Sequence, residues 1–110
     1  MSSDWKTQLQ AEFERAETAR TAGKEGRARV CARRAAGVAI REYFRRRGIP
    51  IRTPSAYELL NLLARQPDLS ADLRQAAIHL TSRLTAEFRL PLDVDLIAEA
   101  RRLCNALLLE

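Results

Sequence analysis

Four alanines and a tyrosine, Ala28, Ala32, Ala35, Ala39 and Tyr43, recur at intervals of four, three, four and four. Successive residues of an α-helix turn by about 100°, so the five share one face. A face of alanines has little bulk, and neighbouring helices can approach it closely. The segment is therefore expected to be a long helix against the centre of a bundle, not on its rim. Gly48 followed by Pro50 stops it, and the reading runs from about Gly26 to Arg47.

Two further lines run along the same helix. Gly26, Val30, Arg33, Gly37, Ile40 and Phe44 alternate at four and three. A glycine inside a helix costs about 0.5–1 kcal/mol relative to alanine, so Gly37 implies close approach to another backbone, within the bundle or across a dimer. This line, with Ile97, Cys104 and Leu108 further on, offers more apolar surface than one small bundle uses. A homodimer is expected, with Gly37, Ile40 and Phe44 at its interface. The other line is Arg27, Arg34, Arg41 and Arg45, pointing away from the alanines. Residues 24–52 hold nine of the seventeen arginines and Lys24, against only Glu25 and Glu42. The segment thus carries +8 and the rest of the chain −3. An arginine fork meets phosphate oxygens in pairs, so the line is a candidate for binding a nucleic-acid backbone or a nucleotide phosphate. The plain alternative is a solvated face in an arginine-rich chain. A helix dipole accounts for part of Arg45, Arg46 and Arg47.

The remaining segments also read as helices. With 110 residues, 46% hydrophobic content, four glycines and four prolines, the chain can form one all-α domain with short links. The first helix runs from about Ser3 to Ala22, with Trp5, Leu9, Phe13 and Ala16 on one side and Gly23 at its end. The third begins at Ser55, where Ser55-Ala56-Tyr57-Glu58 fits a capping box, and Leu59, Leu60, Leu62 and Leu63 face inward until Pro67. The fourth runs from about Ser70 to Phe88 on Leu69, Leu73, Ala76, Leu80 and Leu84. Pro91 interrupts, and Asp93 can cap a fifth helix built on Leu96, Ala100, Leu103 and Leu107. Ser55 to Leu80 superficially resembles a helix-turn-helix, but Pro67 in the turn and the leucine-rich second helix do not suit a base-reading surface.

The order and texture of these pieces resemble a HEPN domain. An alanine-rich first helix ends in Ala19-Arg20-Thr21-Ala22-Gly23. The stretch from Arg29 to Ile40 is similar to the family's second helix, where small residues alternate with polar pairs. Ser55-Ala56-Tyr57-Glu58-Leu59-Leu60 sits where the family starts its third helix, often with a histidine in place of Ser55. Phe88-Arg89-Leu90-Pro91 falls at the family's aromatic-proline break, and Ala98-Glu99-Ala100-Arg101 opens the last helix. The resemblance implies a five-helix up-and-down bundle. It also implies nucleotide or RNA binding, or partnership with a small nucleotidyltransferase in a toxin–antitoxin-like pair. Many HEPN proteins are ribonucleases with an arginine four to six residues before a histidine, and Arg74-Gln75-Ala76-Ala77-Ile78-His79 matches in letters. Residues five apart on one helix point about 140° apart, so only two subunits would bring Arg74 and His79 together. His79 otherwise reads as an ordinary surface histidine.

No glycine-rich phosphate loop, metal-ligand cluster or activated nucleophile stands out. Cys31 and Cys104 are far apart and read as buried small residues of a reducing compartment. No signal stretch or membrane-length apolar run is present, which suggests a cytoplasmic protein. The expectation is a non-catalytic HEPN-like binding module that needs no cofactor. The alternatives are a metal-independent endoribonuclease using Arg74 and His79 from two subunits, and a purely structural helical dimer.

Overall fold

The structure, a computed structural model, describes residues 4–82 and 95–108. Five helices follow one another: α1 (Asp4–Thr21), α2 (Glu25–Arg46), α3 (Ala56–Ala64), α4 (Ala71–Thr81) and α5 (Leu96–Leu108). Together they form an all-α bundle, with no strand among the described residues. The alanine face of α2 explains the arrangement. Ala28, Ala32, Ala35 and Ala39 are fully buried, and α2 touches each of the other four helices. Around this spine pack Phe13 and Ala16 of α1, Leu59, Leu60 and Leu63 of α3, Leu80 of α4, and Leu96, Ile97, Leu103 and Leu107 of α5. Burying each large aliphatic side chain stabilises the fold by about 1.5–3 kcal/mol relative to leaving it exposed.

The C-terminal half of the second line of α2, from Gly37 to Phe44, is used inside the chain. A Cβ at Gly37 would lie 2.8 Å from Ala56 Cβ and 3.2 Å from Ala56 Cα. Gly37 is therefore the point where the first turn of α3 crosses α2. Ile40 and Phe44 are 0% and 1% exposed and fill the interior. Gly37, Ile40 and Phe44 were expected at a dimer interface; within the single chain Gly37 already meets Ala56 of α3, and Ile40 and Phe44 are buried in the core, so the three offer little surface to a second copy.

Local chemistry explains the helix ends. After α1, Lys24 N–H donates to Ala19 O and Gly23 N–H to Arg20 O, the Schellman pattern, with Gly23 at φ +77°. After α2 the pattern repeats: Ile49 N–H to Phe44 O, Gly48 N–H to Arg45 O, and Gly48 at φ +72°. At α3 only half of the capping box forms. Ser55 Oγ accepts from Glu58 N–H at 3.2 Å, whereas Ser55 N–H donates to Thr53 Oγ1 and not to the Glu58 carboxylate. Ser70 Oγ caps α4 through Leu73 N–H.

α4 is shorter than its leucine spacing suggested. It ends at Thr81, and Ser82 is extended. Thr81 Oγ1 donates to Ala77 O and Ile78 O, and Ser82 Oγ donates to Ile78 O, so hydroxyls compete for the helix's carbonyls at this point. Leu84, Phe88, Pro91 and Asp93 lie outside the described residues. The observed cap of α5 is Asp95, whose Oδ1 accepts from the backbone of Ile97 and Ala98 at 3.1 Å. Arg20 joins three helices here, donating to Asp95 and to Glu25 at 2.8 Å each. Its hydrogen bond is the main reason the Asp95 carboxyl lies below the usual range.

Candidate functional site

The outward arginines of α2 divide into two sets. At the C-terminal end, Arg45 Nε and Nη2 grip Glu42 at 2.9 and 2.6 Å, and Arg46 Nε reaches the same carboxylate at 2.9 Å. Glu42 is the only buried charged side chain among the described residues. The hydrogen bonds from Arg45, helped by those from Arg46 and opposed by burial, hold its carboxyl down at about 2. Arg46 also donates to Leu108 O at the end of α5. Arg47 lies over the Tyr43 ring at 4.3 Å and 3.5 Å from Asp68. Arg45, expected at phosphate, is thus committed to an intrahelical clamp.

Nearer the N-terminus of α2 the pattern differs. Arg27 and Arg34 are exposed and make no hydrogen bond or ion pair with the described residues. Arg41 is exposed and donates once, to Thr53 O at 3.2 Å. On the inner side of this face, Arg29 donates to Ser82 O at 3.1 Å and Arg33 Nε to Leu80 O at 2.9 Å. These two cations meet the carbonyl end of α4, where the helix dipole is negative. Burial, with Arg29 nearby, makes the Arg33 guanidinium less basic than usual. Tyr57 stands beside them, with the Arg33 guanidinium 5.8 Å from its ring centroid. Together Arg33, Arg34, Arg41, Val30 and Tyr57 border a recess between α2 and the start of α3, with Glu12 of α1, paired to Arg15 at 3.3 Å, at its edge.

Arg74 and His79 do separate work. Arg74 donates to the carbonyls of Ala64, Gln66 and Leu69, closing the end of α3 and the turn that follows. Its guanidinium thus satisfies carbonyls that a helix end leaves open. His79 Nδ1 lies 2.8 Å from Glu99 Oε1, and its Nε2 lies 3.0 Å from Gln75 Nε2. Glu99 also receives Arg102, which reaches on to Asp72 at 2.8 Å. The His79 side chain is only 13% exposed, so it is a bridge between α4 and α5 and not an ordinary surface histidine.

The cysteines are free and buried. Burial pushes the Cys104 thiol up to about 12, far from the thiolate range that nucleophilic chemistry needs. Among the described residues no three His, Cys, Asp or Glu side chains cluster to hold a metal ion. None of their helices is long and apolar enough to cross a membrane.

Sequence reasoning missed the buried Glu42 clamp and the pairing of Arg33 with Tyr57. A lone Glu before three arginines was a usable signal for the clamp. Nothing in the sequence indicated that Tyr57 would stand beside Arg33, because that depends on where α3 crosses α2. Compared with protein-family models, curated proteins and solved structures, the chain matches none, and its fold rests on its own geometry: a five-helix all-α bundle with an arginine-bearing central helix.

Proposed function

We propose that this protein is a non-catalytic, HEPN-like binding module for a polyanion, RNA or a nucleotide phosphate, through Arg27, Arg34 and Arg41 of α2. One observation carries the reading: on a helix whose other outward arginines are spent on carboxylates and carbonyls, Arg27 and Arg34 remain exposed and have no partner among the described residues. Unneutralised guanidiniums on a rigid helix attract phosphate and release its counterions on binding. The engagement of Arg74 with three carbonyls supports a module over an endoribonuclease, since the arginine of the letter motif is already occupied. A small nucleotidyltransferase partner and a homodimer belong to the same proposal. The dimer would use surfaces other than Gly37, Ile40 and Phe44.

The test is the salt dependence of RNA binding. Replacing Arg34 and Arg41 together with Gln should weaken binding to all sequences alike. It should also flatten the slope of log K against log salt by about 0.7 for each phosphate that is no longer neutralised. An unchanged slope removes these arginines from the binding surface.

A further inference from the structure

The recess between α2 and α3 has a composition that the core does not explain. Among the described residues, large hydrophobic side chains are exposed at only three places, and two of them, Val30 at 39% and Tyr57 at 37%, lie here. Both stand among arginines. Arg33 is anchored through Nε to Leu80 O, which fixes its guanidinium 5.8 Å from the Tyr57 centroid. Among the described residues Arg34 is exposed and has no partner, and Arg41, seven residues further along α2, is exposed with a single bond to Thr53 O. Seven residues of helix separate these two cations by about 10.5 Å along the axis. The floor is the tight crossing of Gly37 and Ala56, so the walls stand on rigid elements.

An aromatic face among guanidiniums suits a ligand that is flat and apolar in one part and anionic in the next. Nucleic acid has that alternation when its bases are not already stacked on one another. A duplex offers phosphates but keeps its base faces covered, whereas a single strand can lay a base on an aromatic ring and its phosphates on the flanking cations. An acidic peptide would use the arginines and leave the ring idle.

We propose that this recess binds single-stranded nucleic acid, with one base stacked on Tyr57 and the adjoining phosphates held by Arg34 and Arg41. This rests on the polyanion reading above and narrows it to a ligand class. Both RNA and DNA single strands carry the base-and-phosphate chemistry, so both serve as probes.

The experiment uses fluorescence anisotropy with labelled octamers of riboadenylate and deoxyadenylate, an RNA duplex, and inorganic polyphosphate and oligoglutamate as competitors. The proteins are wild type, Tyr57→Phe, Tyr57→Leu and Tyr57→Ala, each checked for folding by thermal unfolding. Tyr57→Ala and Tyr57→Leu should weaken single-strand binding about tenfold, Tyr57→Phe should preserve it, and polyphosphate affinity should be the same in all four. Tyr57→Leu keeps the apolar bulk, so it decides the matter if the alanine variant fails to fold. The same Tyr57 dependence with either sugar supports the proposal. Single-strand affinity that ignores Tyr57, a duplex bound as tightly as the strand, or oligoglutamate competing as well as the octamer would overturn it. Binding to polyphosphate with no strand preference leaves the polyanion reading standing and removes this one. Failure to bind any of the probes removes both.

Discussion

Arg34 and Arg45 sit on one face of one helix, three turns apart, and their situations are opposite. Arg45 shares the buried carboxylate of Glu42 with Arg46 and so belongs to the fold. Arg34 faces solvent, has no partner among the described residues, and borders a recess with an exposed tyrosine. The same residue type serves cohesion at one end of α2 and is left available at the other. Other arginines close carbonyl ends: Arg29 and Arg33 at α4, Arg46 at α5, and Arg74 at α3. Net positive charge alone is therefore a poor guide to a binding surface. What matters is which cations the fold has left unspent.

The largest test of this division is Arg74→Ala. Three carbonyls would lose their donor in a part-buried turn, and stability should fall by about 2–3 kcal/mol, read from the denaturation midpoint. Unchanged stability together with loss of an RNA-cleaving activity would place Arg74 among the available cations and break the comparison. A smaller effect is expected at Glu42→Gln. Solvent screens guanidiniums that are 70% and 40% exposed, so the loss should be about 1 kcal/mol at neutral pH. The variant should also bind polyanions more tightly, because Arg45 and Arg46 are released.

The pH dependence sharpens the same point. Glu42 is held at about 2 in the folded chain against an ordinary 4.5, so its contribution is complete above about 4.5. Unfolded chains take up the proton first as pH falls, and the contribution drains away toward about 2. Stability measured across that window should fall more steeply for the wild type than for Glu42→Gln. The smallest effect on stability belongs to Arg27→Gln with Arg34→Gln. The change should stay within about 0.5 kcal/mol, since neither side chain holds anything in the described structure, while polyanion binding weakens. A larger loss of stability would show that these arginines also belong to the fold.

The helices were legible because their periodicity is local. The buried alanines of α2, the glycines after α1 and α2, and the serine caps of α3 and α4 all depend on residues within a few turns of one another. The site was legible only in part. Arg27 and Arg34 emerged from spacing alone, but spacing could not separate them from Arg45, whose partner Glu42 is one turn away and buried by the rest of the bundle. Gly37 was recognisable as a point of close approach, yet its partner was not: a missing Cβ signals proximity without saying to what.

The amino-acid sequence by itself determined that the chain is helical, that α2 is the central element, and that positive charge concentrates on it. Those properties follow from backbone propensity and from a repeat of 3.6 residues, which each helix expresses alone. Only the tertiary structure decided that Ala56 fills the space at Gly37, that Arg74 closes the end of α3 while His79 bridges to Glu99, and that Tyr57 stands beside Arg33. Each of these pairings joins different elements. Their geometry is set by how the helices pack together, a property of the assembled core that no single stretch of sequence contains.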